Sequence, residues 1–210
     1  MKRPPQLAPA ERLRRIHDRL AAAYGPQRWW PAETPLEVIL GAYLTQNTSW
    51  KAVERSLANL RAADALSLDG VRSLSVRKLQ SLIQPSGFYI RKASALKAFV
   101  ALLDAEFSGS LNVMAATPTA LLRQRLLALP GVGPETADAI LLYAFGHPMP
   151  VADEYLRRIV LRHHLLLTPP SKNRKGYDAL AGLTAQAFAT DPPSDLVCLY
   201  NEFHALVVAV

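Results

Sequence analysis

Leu129-Pro130-Gly131-Val132-Gly133-Pro134-Glu135-Thr136 lies between two apolar helical patterns. Pro130 ends the helix before it. The glycines permit a tight turn with φ > 0, and Pro134 with Glu135 suits the first turn of the next helix. Such a turn points successive backbone N–H groups outward at a helix N-terminus, where they can hold a phosphate without reading base sequence. The same residues also make an ordinary helix–helix connector. Gly-Val-Gly alone does not separate the two readings.

Working outward, the periodicity is helical. Leu36, Ile39, Leu40, Tyr43 and Leu44 follow the i, i+3, i+4, i+7, i+8 pattern of one buried face, and Ala137, Ile140, Leu141, Ala144 and Phe145 repeat it. Helices are also expected over 50–62, 75–83, 91–107, 118–128, 135–145 and 155–166. Pro31, Pro35, Gly70, Pro85-Ser86-Gly87 and Ser108-Gly109-Ser110 read as breaks. No alternating β-branched run argues for a sheet, so the expectation is an all-α fold of about ten helices. The Pro-rich first nine residues read as a frayed end, and 168–176, with Pro169, Pro170 and three basic residues, as an exposed loop.

The 210 residues exceed one usual domain and fall short of two, which predicts one bulky domain or two small lobes sharing a cleft. Half the residues are hydrophobic and 20% charged, which excludes a disordered chain. No apolar run reaches the length of a membrane helix, and the start does not resemble a secretory signal, so the chain reads as soluble and cytoplasmic, nucleoid-associated if bacterial. The single cysteine, Cys198, excludes an internal disulfide framework and any metal site or cluster built on several cysteines. Lys and Arg number 24 against 17 acidic residues, a net charge of +7 that favours a polyanionic partner such as nucleic acid.

Asp153 follows Gly133 by 20 residues, after the break at Gly146-His147-Pro148. Together Gly131-Val132-Gly133 and Asp153 resemble the helix–hairpin–helix plus aspartate signature of the endonuclease III superfamily of DNA glycosylases. Leu44-Thr45-Gln46-Asn47-Thr48, Gly87-Phe88-Tyr89 with Lys92-Ala93, and Tyr200-Asn201-Glu202-Phe203-His204-Ala205 are similar as well, so the resemblance covers about residues 24–206. Trp29-Trp30-Pro31, Gln46-Asn47-Thr48 with Trp50, and Thr136-Ala137-Asp138-Ala139-Ile140 look most like the endonuclease III-related branch that includes 3-methyladenine DNA glycosylase III. The resemblance implies a two-lobed helical fold with DNA in a cleft. One lobe is 37–147, with the helix–hairpin–helix at about 121–145; the other is 1–36 with 148–210. It further implies a monomer acting on double-stranded DNA with damaged bases. Many relatives carry a four-cysteine cluster loop after the last helix; here no iron–sulfur cluster and no other cofactor is expected, beyond a monovalent cation that the hairpin backbone can hold.

The resemblance assigns roles residue by residue. Asp153 becomes the catalytic carboxylate, stabilising positive charge on the sugar as the base departs; on spacing alone it equally suits a helix N-cap. Gly131, Val132, Gly133, Glu135 and Thr136 form the DNA-binding hairpin. Bifunctional members carry an imine-forming lysine where Glu135 stands, and a carboxylate cannot form an imine. The implied chemistry is therefore monofunctional, with Lys51 and Lys92 left as amines for weak lyase activity. Trp29, Trp30 and Trp50, all the tryptophans of the chain, are placed around the base pocket, where electron-rich rings suit a cationic alkylpurine such as 3-methyladenine; core packing is the plain alternative. Gln46 matches the residue that fills the hole left by a flipped nucleotide, and Phe88 the wedge beside the opposite base. A surface amide and a small-core aromatic are the alternatives there. Arg91, Lys92, Arg157, Arg158 and Arg162 suit phosphate contacts or a solvated face. His163-His164 show no metal-ligand pattern, and residues 200–204 carry no assigned role. Two competing functions follow: a glycosylase of oxidised or mismatched pyrimidines with weak lyase activity, and a non-catalytic DNA-binding protein.

Overall fold

The computed structural model describes residues 7–210, and within them the chain is helical with no strand. It divides into two compact units: Pro31–His147, and the chain up to Trp30 together with Pro148–Val210. The divisions fall at 30/31 and 147/148, against the expected 36/37 and 147/148.

The Pro31–His147 unit is built around α2 (Pro35–Leu44), whose residues from Leu36 to Leu44 are all buried. A helix buried on every side is a central helix. Thr34 starts it by accepting the Glu37 N–H at 3.2 Å, with Pro35 at the first helical position. Around α2 pack α3 (Trp50–Ala62), α6 (Tyr89–Phe107) and the hairpin's second helix, α9 (Pro134–Ala139), which continues as one π-helical turn over Ile140–Ala144. The sequence pattern predicts an unbroken α-helix there. The structure instead widens it where Thr136 through Leu142 are buried consecutively, a stretch enclosed rather than amphipathic.

Short helices complete this unit: α4 (Leu68–Ser73), α5 (Val76–Ile83), α7 (Leu111–Ala115) and α8 (Thr119–Leu127), with a 3₁₀ turn at Gln84–Ser86. The break expected at Gly70 is corrected, while Ser108-Gly109-Ser110 does separate α6 from α7. Gly70 lies inside α4, where an added Cβ would stand 2.6 Å from the Ala65 backbone, so close approach rather than turning requires glycine. Ser110 is the N-cap of α7. Five- and six-residue helices are too short to show a period, which is why the described residues hold twelve α-helices where about ten are expected.

The second unit packs α1 (Pro9–Tyr24), α10 (Glu154–Arg162), α11 (Arg174–Ala187) and α12 (Leu196–Val208). His17 of α1 meets Phe188 and Phe203 edge-on, and Arg14 forks onto Asp191. Of the nine residues expected to fray, Pro9 already belongs to α1, and residues 1–6 lie outside the described residues. The 168–176 loop is also shorter than expected. Asn173 accepts the Gly176 N–H and starts α11 at Arg174, so local capping overrides the Pro and Gly content. Helix α10 ends at Arg162, earlier than the expected 166.

Candidate functional site

In the hairpin, Leu129–Gly133 joins α8 to α9, with the Val132 N–H bonded to the Leu129 carbonyl at 3.3 Å. Gly131 takes φ +76°, the left-handed region that favours glycine. Gly133 does not. It lies at φ −93° as the N-cap of α9, which corrects the expectation that both glycines serve a positive φ. Gly131, Gly133 and Glu135 are exposed while Val132 and Thr136 are buried, so the turn is anchored by side chains and open along its backbone.

Gln46, just beyond α2, reaches this turn. Its amide nitrogen donates to the Gly131 carbonyl at 3.0 Å and to the Thr136 hydroxyl at 2.9 Å. Phe88 sits at φ +47° at the start of α6 and is 62% exposed, which removes the small-core alternative. Gln46, Phe88, Arg91 and Gly131 line one cavity of about 200 Å³ in this unit, with Tyr43 and Lys92 in its wall. Tyr43 is 1% exposed, its hydroxyl makes no hydrogen bond, and burial raises its pKa.

Lys92 is not a phosphate contact. It is 4% exposed, and its Nζ donates to the Leu44 and Ser86 carbonyls, both at 2.7 Å, stitching the end of α2 to the 3₁₀ turn. Burial pushes this ammonium down to about 8. A neutral amine keeps two N–H groups, enough for both carbonyls. Because the folded-state pKa lies below the unfolded one, the unfolded chain binds more proton between about pH 8 and 10.4, and stability there rises with pH. Urea unfolding of wild type and Lys92→Met at several pH values checks this. The wild-type stability relative to the variant is expected to be flat below pH 8 and to rise above it; a fall would overturn the burial reading.

In the other unit, Asp153 is 8% exposed and is the N-cap of α10, its Oδ1 accepting the Leu156 N–H at 2.8 Å. The capping reading of this residue is therefore correct as local structure. It leaves Oδ2, which lies 3.7 Å from His204 Nε2. Trp29 and Trp30 belong to the same unit, half-buried and edge-to-face with ring centroids 5.7 Å apart; Trp50 is half-buried at the start of α3 in the Pro31–His147 unit.

The expected phosphate contacts separate by availability. Arg91 is exposed beside Phe88. Arg157 is engaged, donating twice to Glu154 at 2.7 Å; with Lys172 and Arg158 also near, it holds that carboxyl down to about 2. Arg158 is the more exposed, 3.6 Å from Glu154, with its guanidinium over the Tyr155 ring. Among the described residues no three His, Cys, Asp or Glu side chains gather as a metal site, and Cys198 lies exposed on α12. One cysteine cannot supply the four thiolates of an iron–sulfur cluster.

Sequence reasoning leaves Glu202 and His204 without roles. The structure puts His204 beside Asp153, and the Glu202 carboxylate on the backbone N–H groups of Gln27 and Arg28. No sequence signal marks the second pairing, because its donors are main-chain atoms 174 and 175 positions away.

A helical fold of two units, a glycine hairpin and a buried aspartate beyond it define a class that comparison with known proteins makes specific. The family model of the HhH-GPD superfamily of base excision DNA repair proteins matches residues 40–177, and the chain belongs to that superfamily. It is 41% identical over 200 residues to a candidate DNA repair glycosylase of Methanocaldococcus jannaschii, covering 94% of this chain and 86% of that one. It is 30% identical over 142 residues to a thymine/uracil-DNA glycosylase of Pyrobaculum aerophilum, covering 64% and 54%. Among solved structures, the 3-methyladenine DNA glycosylase of H. pylori bound to 1,N6-ethenoadenine superposes with a TM-score of 0.80 at 29% identity, covering 96% of each chain. An endonuclease III–DNA covalent intermediate shares the fold, with a TM-score of 0.72 at 18% identity over 94% of this chain and 85% of that one.

Proposed function

We propose that this chain is a monofunctional DNA N-glycosylase of base-excision repair that removes alkylated purines, 3-methyladenine first, from double-stranded DNA. The observation that carries the reading is Asp153. A buried carboxylate has one oxygen fixed by its helix cap and the other left over, in the same unit as an edge-to-face tryptophan pair. The likeness to the H. pylori 3-methyladenine DNA glycosylase supports the choice of base, and solved DNA complexes of fold relatives support the partner.

The base is flipped from the stack, with Phe88 as the exposed wedge and the hairpin backbone on phosphate. The C1′–N glycosidic bond breaks with its electron pair leaving on the base. The positive charge gathering on the sugar faces the Asp153 carboxylate, whose fixed placement requires no reorganisation. Water then adds to C1′ and loses a proton to Asp153 or solvent, giving the free base and an abasic sugar. A cationic alkylpurine has a weakened bond and gains most from electron-rich rings, so little acid catalysis is required. Glu135 offers no amine for an imine, so strand cleavage does not follow.

The test is single-turnover release of free bases from methylated duplex, with a borohydride trap in parallel. Released 3-methyladenine and no trapped adduct is the expected result. A trapped adduct overturns the monofunctional reading. Release only from thymine or uracil mismatches transfers the assignment to the reading favoured by the likeness to the P. aerophilum enzyme. Salt-dependent DNA binding with no base released from any of these substrates leaves a DNA-binding protein without catalysis.

A further inference from the structure

The tryptophan pair follows an irregular segment, 25–28. Helix α1 ends at Tyr24, and Gly25 closes it at φ +69° with its N–H on the Ala21 carbonyl at 2.9 Å. Gln27 folds its side-chain amide back on the carbonyls of Tyr24 and Gly25, at 3.2 and 2.9 Å. Arg28, immediately before Trp29, sits at φ +51°, a left-handed conformation that a non-glycine residue keeps only when its surroundings impose it. What imposes it comes from α12: Glu202 Oε2 accepts the Gln27 N–H at 2.7 Å, and Oε1 the Arg28 N–H at 2.9 Å. One carboxylate thus takes two consecutive main-chain donors with both oxygens, the strong charge-assisted form of the bond.

Two residues further along α12, His204 stands 3.7 Å from Asp153 Oδ2. Residues i and i+2 of a helix point to different sides, so α12 supports the tryptophan segment by one side chain and meets the candidate catalytic carboxylate by another. We infer that Glu202 is a positioning residue. Its carboxylate clamps the Gln27–Arg28 backbone so that Trp29 and Trp30 are held in register with Asp153 through α12. This rests on the functional reading above for its consequence in activity, but not for its structural content.

The decisive variant is Glu202→Gln, nearly the same size but able to accept only one of the two bonds while its NH₂ confronts the other donor. Glu202→Asp keeps both oxygens on a shorter stem. Asp191→Asn is the control, since it weakens the Arg14 ion pair of the same unit without removing either bond to Glu202. Two readouts are taken. Acrylamide quenching is measured in a Trp50→Phe background, where only Trp29 and Trp30 emit. Single-turnover release of 3-methyladenine is measured with native Trp50, beside affinity for the same duplex.

Glu202→Gln is expected to raise quenching and to slow release about 10–100-fold, the scale of an ångström-sized misplacement, with duplex affinity unchanged. Glu202→Asp should recover part of both, and Asp191→Asn should change neither at comparable loss of stability. Should Glu202→Gln not fold, Glu202→Asp against Asp191→Asn decides the matter by the same readouts. Wild-type quenching and release in the Glu202 variants, or the same changes in Asp191→Asn, overturn the inference. If the wild type releases no methylated base, the functional reading fails, while the quenching result still decides the role of Glu202.

Discussion

Asp153→Asn is expected to slow single-turnover base release from methylated duplex by at least about 100-fold while leaving duplex affinity at or above the wild-type level. The geometry makes this substitution clean. Asparagine keeps a side-chain oxygen for the Leu156 N–H, so the cap of α10 survives, and Asn is as good an N-cap as Asp. What is lost is the negative charge, whose remaining oxygen faces His204. Asp153→Ala separates the two duties, since it removes the charge and also the cap, adding about 1 kcal/mol of destabilisation that Asp153→Asn does not show. A Asp153→Asn enzyme that releases base within a few-fold of wild type would reduce Asp153 to a helix cap.

Arg123→Met is expected to destabilise the protein by about 3–5 kcal/mol, the cost of stripping one partner from a buried charge pair. Arg123 of α8 forks onto Asp138 of α9 at 2.6 and 2.9 Å, and Asp138 is wholly buried. Methionine keeps most of the arginine stem and removes the guanidinium from a carboxylate that is itself buried. Because the pair ties the two helices of the hairpin, its loss should also speed amide hydrogen exchange in α9 before the rest of the unit. The double variant Arg123→Met/Asp138→Leu should regain part of the loss, as an apolar pair is often nearly neutral in place of a buried ionic one. Urea unfolding measures all three. A loss under about 1 kcal/mol in Arg123→Met would place the pair with solvent-screened surface bridges.

Both predictions draw on residues legible to different degrees in the sequence. The hairpin can be read from one stretch because proline and glycine act on their own backbone, so Leu129–Thr136 announces its turn without reference to any neighbour. Helix α2 is legible because its ten residues suffice to show a period, although the structure buries it on every side rather than on the one face the period predicts; α4 and α7 are too short to show one. Gly133 and Gly70 are visible as glycines but not for their reasons: one is an extended N-cap, the other a close approach to Ala65.

The sequence alone determined the all-helical class, the turn between α8 and α9, and the presence of a carboxylate rather than an amine at Glu135, because each is written within a few consecutive residues. Only the tertiary structure decided which polar groups remain available. Lys92 is held by the carbonyls of Leu44 and Ser86, Gln46 by that of Gly131, and Glu202 by the amides of Gln27 and Arg28. Every residue carries a carbonyl, and every residue but proline an N–H, so no sequence position advertises such a partner. The amine's depressed pKa likewise comes from desolvation by groups brought together only when the chain folds.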